Sequence, residues 1–112
     1  IKTNRRDSFR VSIGVSGRTD NPDLSSATVR DISHSGFALA SKKQVESLSV
    51  GDNIVVTFDD ITFHIRLEGV LVRTEERDGI FIYGFKSTVF SPHLPQYLAL
   101  KQRPAGGRVL RR

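Results

Sequence analysis

Two short stretches gather the residues that could do chemistry. Asn4-Arg5-Arg6-Asp7-Ser8-Phe9-Arg10 places three guanidinium groups near the start of the chain, and Asp31-Ile32-Ser33-His34-Ser35-Gly36 places a carboxylate, two hydroxyls and a glycine within six residues. A planar guanidinium makes two parallel hydrogen bonds to a phosphate or to the O6/N7 edge of guanine, where a lysine would offer only a point charge. A carboxylate complements it, by accepting from the N1–H and N2–H donors of guanine or by fixing an arginine in one rotamer. A glycine lets backbone approach a ligand closely or take φ > 0. Together the two stretches have the chemistry of a reader of anions and bases.

Other chemistries find little support. Asp31, Ser33 and His34 suggest a hydrolytic triad, but neighbours in one short turn cannot face each other as nucleophile, base and orienter, and there is no G-x-S-x-G elbow. The expectation is therefore that the chain is not an enzyme. His34, His64 and His93 are far apart and lack ligand spacing with Asp or Glu, so no metal site or cofactor is expected. Asp59, Asp60, Glu75 and Glu76 fall at strand ends, where solvated turns account for them without acid–base work. With no cysteine, disulfides and thiolate chemistry are absent, a composition compatible with a reducing cytoplasm.

On charge alone Arg5 and Arg6 could equally form a solvated basic leader, and Asp31 could simply cap its turn. The pairing of the two stretches decides between these. Arg6 and Arg10 fill R-x-x-x-R, Arg5 extends it to R-R-x-x-x-R, and Asp31, Ser33 and Gly36 fill D-x-S-x-x-G, in the order and separation of the PilZ family, which the chain resembles from Arg5 to about Lys101. A Leu48-x-x-Gly51 turn and a late Tyr83-Gly84-Phe85 strand add to the likeness. The resemblance implies a small split β-barrel followed by a helix, and a receptor for the bacterial second messenger cyclic di-GMP. It implies ligand contacts from Arg5, Arg6, Arg10, Asp31, Ser33 and Gly36. His34 and Ser35, at the variable motif positions, and Lys86, on the last strand, are weaker candidates.

These residues need elements to position them. Apolar residues alternate at Phe9, Val11, Ile13 and Val15, the period of a half-buried strand, with Arg10 on the opposite parity from Val11. Gly17 to Asp23 reads as a loop. Ser26–Ile32 and Phe37–Ala40 read as two strands, which puts the Asp31–Gly36 motif on the turn between them. Lys42–Asp52 reads as a connection anchored by Leu48, and Ile54, Val56 and Phe58 mark the next strand. Ile61, Phe63, Ile65 and Leu67 hold one parity while Val70 and Val72 take the other, so a bulge is expected at Gly69. Asp78-Gly79 is a hairpin turn returning into Ile80–Lys86. Six or seven short antiparallel strands are expected to close into a barrel, which limits exposed edges. Leu94, Tyr97, Leu98 and Lys101 recur at helical spacing behind Pro92 and Pro95, and Pro104-Ala105-Gly106-Gly107 is expected to end that helix.

The 112 residues suit one domain, expected as a leader over residues 1–10, a barrel with its helix over 9–103, and a mobile basic tail over 104–112. Starting at Ile1 without any methionine, the chain reads as a fragment of something longer. No apolar run reaches the roughly 20 residues of a membrane span, so a cytoplasmic protein, or the cytoplasmic part of a membrane protein, is expected, with membrane contact only through missing parts of the chain.

The net charge of +5 is unevenly spread. Residues 1–10 carry +3 and residues 101–112 carry +5, leaving −3 on the 90 between. An acidic body without tryptophan argues against a groove for single-stranded nucleic acid, the alternative that small size and a pI near 10.1 invite. A barrel that binds only proteins is the other alternative. By the resemblance, the partners are cyclic di-GMP and an effector domain, in the same full-length chain or a separate protein, in control of exopolysaccharide or motility. The leader would order over the barrel mouth on binding and act as an allosteric transducer.

Overall fold

The computed structural model describes residues 10–24, 26–89 and 91–107. Six strands are present: β1 (Val11–Thr19), β2 (Ser26–Ile32), β3 (Gly36–Ser41), β4 (Asn53–Asp60), β5 (Phe63–Arg77) and β6 (Ile80–Val89), followed by helix α1 (Leu94–Gly107). They form the expected closed antiparallel barrel, in the neighbour order β1-β2-β3-β6-β5-β4. The closing seam is short. β1 pairs with β2 from Val11 to Arg18 but with β4 only at Arg18 and Thr19.

The alternating residues do what their period demands. Ile54, Val56 and Phe58 of β4 and Ile65 and Leu67 of β5 point into one core with Val29, Ile32, Phe37, Leu39 and Phe85. Val45 and Leu48 from the connection after β3 join this core. That connection is pinned by the Val45 N–H donating to the Tyr83 hydroxyl (2.8 Å) and by backbone bonds tying Gly51 and Asp52 to Leu71 (2.9 Å each).

Two glycines depart from the sequence expectation for one physical reason. The register of β5 against β6 does shift beside Gly69, as expected, but the inward parity does not change over. Leu71 is buried, whereas Val72 is 48% exposed. Gly69 itself holds the inward position. A Cβ there would lie 2.6 Å from the Lys86 carbonyl oxygen and 3.0 Å from Phe37 Cε1, so its missing side chain is what admits the Phe37 ring. Phe37 then stacks on Phe85 with ring centroids 5.0 Å apart. Gly17 is the second case. β1 does not give way to a loop there but continues to Thr19, and a Cβ on Gly17 would lie 3.0 Å from a Val29 methyl and 3.2 Å from a Val56 methyl.

The helix docks through Leu94, Tyr97 and Leu98, all buried. Tyr97 lies edge-on to Phe58 and Phe63, each with centroids 5.6 Å away, and its hydroxyl donates to Asp60 Oδ2 at 2.6 Å. Lys101 Nζ reaches the same oxygen at 2.9 Å. Asp60 is therefore a docking residue and not a freely solvated turn carboxylate. The Tyr97 hydroxyl, and then Lys101, hold its carboxyl below the usual range against the opposing effect of burial. Burial, with Asp60 alongside, pushes the Tyr97 phenol well up. Pro95 sits in the first turn, where the N–H it lacks would have no helical partner. The helix runs on through Pro104 to Gly107, beyond the expected stop, because a proline removes one backbone bond without forbidding helical dihedrals to the residues after it. Among the described residues no helix is long and apolar enough to cross a membrane.

Candidate ligand site

Strand register brings the two motif stretches together. Val11 pairs with Ile32 and Ser12 with Asp31, so Arg10 enters the barrel beside Asp31. Each flanking ladder carries an irregularity here: between Ser12 and Val15 on β1, where Gly14 takes φ +59°, and between Val29 and Asp31 on β2. Bulges of this kind bend a strand and re-aim the side chains beside them. Arg10 Nη1 donates to Asp31 Oδ1 at 2.6 Å. The carboxylate side chain is 16% exposed and the guanidinium side chain 42%, so Asp31 forms the floor and Arg10 still presents donors to solvent.

The turn after Asp31 is locked by its own serine. Ser33 is 1% exposed, and its Oγ accepts the N–H groups of Ser35 and Gly36 at 3.2 Å each. The same hydroxyl lies 3.3 Å from the Gly36 carbonyl oxygen, and the Ser33 N–H donates to that carbonyl at 2.8 Å. Gly36 pairs with Lys86 across β3 and β6, and a Cβ on it would fall 2.3 Å from the Phe85 carbonyl oxygen, so no other residue fits without parting the strands. The Ser35 carbonyl accepts from the Ser87 N–H at 2.9 Å, tying the turn to β6.

The fold thus gathers Arg10, Asp31, Ser33 and Gly36 in one place, with His34 and Ser35 exposed on the turn and Lys86 exposed on the neighbouring strand. Arg5 and Arg6 lie outside the described residues. The sequence offered no sign of a cleft of about 380 Å³ that His34 shares with Ser91, Pro92, Leu94 and Pro95, because its walls are some sixty residues apart and carry no motif. A wider recess, lined by Ser16, Asp23, Thr28, Lys43 and Glu46 among others, contains none of the motif residues. The pre-formed arginine–carboxylate pair, and not the size of a cavity, singles out the motif turn. Among the described residues no group of three His, Cys, Asp or Glu side chains could hold a metal ion.

A PilZ domain model matches residues 3–99. The chain belongs to the PilZ domain family. This PilZ domain has no match among curated proteins. Among solved structures it is similar to the Bacillus subtilis inhibitor of motility (MotI/DgrA), with a TM-score of 0.78 and 15% sequence identity over 97% of this chain. That likeness shows a shared fold, and this chain spans 56% of the length of that one. PilZ domains are non-catalytic regulatory modules within a family of cyclic di-GMP receptors in bacterial signalling, and this domain is such a regulatory module.

Proposed function

We propose that this PilZ domain binds cyclic di-GMP and switches an attached domain or a partner protein when the messenger arrives. The observation that carries the reading is the Arg10–Asp31 pair at 2.6 Å. A carboxylate that already fixes one guanidinium keeps its second oxygen for a guanine edge, and the arginine keeps its remaining donors for a phosphate or a base. Holding such groups in place beforehand lowers the ordering cost of binding.

In this reading Arg10, Asp31 and the turn closed by Ser33 receive one base and phosphate from the barrel side. Arg5 and Arg6 supply the second set of guanidinium contacts, and Lys86 adds a phosphate contact beside Gly36. Ser33 acts first through its turn: its hydroxyl already accepts two N–H groups, so a direct bond to phosphate requires its proton to leave the Gly36 carbonyl or the Ser35 hydroxyl, each 3.3 Å away. Gly36 contributes shape, and His34 and Ser35 are placed to reach the ligand. Each charge-assisted hydrogen bond is worth about 1.5–3 kcal/mol, enough to offset the ordering of a short leader. The messenger is the only ligand required, without a cofactor, and the responding effector lies in the same full-length chain or in a partner protein.

Calorimetric titration with cyclic di-GMP at two salt concentrations, with GTP and a short single-stranded oligonucleotide as controls, tests this. Saturable binding selective for the cyclic dinucleotide is expected, abolished by Arg6→Ala or Asp31→Ala in variants that remain folded. Salt-sensitive binding of the oligonucleotide with indifference to the dinucleotide would favour a nucleic-acid module, and heat from none of the three would favour a protein-binding barrel.

A further inference from the structure

The cleft beside the motif turn has features that the arginine–carboxylate chemistry leaves unused. Its lining includes His34, Pro92, Pro95 and the buried Leu94. Ser91 also lines it, 8% exposed, its carbonyl accepting the Leu94 N–H at 3.1 Å and its hydroxyl without a hydrogen-bond partner among the described residues. A buried hydroxyl without a partner is costly unless something supplies one. Ring-bearing walls and one polar group unpartnered among the described residues suit a planar heteroaromatic ring with donors and acceptors on its edge. The volume, about 380 Å³, exceeds that of a single purine.

We infer that this cleft seats one guanine base of the cyclic dinucleotide, stacked between His34 and the prolines at the start of α1, with the Ser91 hydroxyl bonding its edge. The inference rests on the proposed function. His34 supplies the continuity, since it stands in the turn between Asp31 and Gly36 and also forms one wall of the cleft. A ligand with its phosphates on the motif side would therefore have a base within reach of residues 91–95. The ligand then touches the segment that begins α1, which gives the domain a route from messenger to helix that does not pass through the leader.

Titration of cyclic di-GMP into His34→Ala, His34→Phe, Ser91→Ala and Pro95→Ala tests this, with the wild-type domain followed in parallel by NMR. His34 and Pro95 are exposed, so their variants should keep the fold. Loss of a stacking partner should weaken binding about 10-fold in His34→Ala, and His34→Phe, which keeps a flat face, should recover most of it. Ser91→Ala should narrow the preference for cyclic di-GMP over cyclic di-AMP. On saturation of the wild-type domain, the His34 ring protons should shift upfield. Binding that is normal in the wild type but unchanged in His34→Ala and Pro95→Ala, with no movement of the His34 signals, overturns the cleft assignment and leaves the receptor reading standing. Absence of cyclic di-GMP binding by the wild type overturns both.

Discussion

Replacing Tyr97 by phenylalanine removes one hydroxyl and leaves everything else in its surroundings in place. The ring keeps its edge-on contacts with Phe58 and Phe63, so no cavity opens. What is lost is the 2.6 Å hydrogen bond to Asp60. A bond to a charged acceptor is worth about 1.5–3 kcal/mol. Asp60 retains Lys101 at 2.9 Å, and with 21% of its side chain exposed it can recruit water, which places the cost near the lower end, about 2 kcal/mol at pH 7. For a domain of this size that is a fall of roughly 8–10 °C in Tm. The cost should depend on pH on both sides. The folded-state pKa of Asp60 is depressed below 3.8, so its contribution is present above that value and fades as pH falls through the folded pKa. The folded-state pKa of Tyr97 is raised above 10.0, so its contribution is full below that value and is lost as pH climbs through the folded pKa. Urea unfolding followed by far-UV circular dichroism at pH 3, 7 and above 10 gives the difference directly. A cost under 0.5 kcal/mol at pH 7 on the ~2 kcal/mol scale of a charged hydrogen bond, or one that does not shrink towards acid, would refute the account of how α1 is held.

Two further substitutions probe the barrel. Gly36→Ala should destabilise by about 3 kcal/mol, at the upper end of overpacking costs, because the atom its Cβ meets at 2.3 Å is backbone and cannot rotate away; urea unfolding measures it, and a loss below about 1 kcal/mol would contradict the packing described. Leu71→Ala should cost about 2–5 kcal/mol while Val72→Ala stays within about 0.5 kcal/mol, and a reversed order of their unfolding midpoints would mean that the inward face of β5 has been misassigned.

The parts of the fold that were legible in the sequence are those where inward positions carry apolar side chains. Ile54, Val56 and Phe58 announce β4 by their alternation, and the Asp31–Gly36 motif could be placed on a turn because strands were readable on both sides of it. The bulge at Gly69 is present, but the change of parity expected across it and the loop expected from Gly17 are not, because an inward glycine leaves a gap in the apolar pattern while the room it leaves is filled by Phe37, or by Val29 and Val56, from other strands. Asp60 looked like a solvated turn residue because its partners, Tyr97 and Lys101, are about forty residues away on a helix whose docking no local pattern reveals. The motif chemistry was visible as residue types. The 2.6 Å approach of Arg10 to Asp31 depends on the register of β1 against β2, and the cleft at His34 on where α1 starts, and neither has a local signature.

The short seam between β1 and β4 has a bearing on how such a domain meets other chains. Among the described residues, β1 is hydrogen-bonded to a neighbouring strand on one side only from Val11 to Gly17, and backbone groups on an uncovered side are a template onto which another chain can add. α1 packs against β1. The contacts that dock the helix at Leu94, Tyr97 and Asp60 therefore also hold it against this strand. Loosening the helix would leave more of β1 open to pairing.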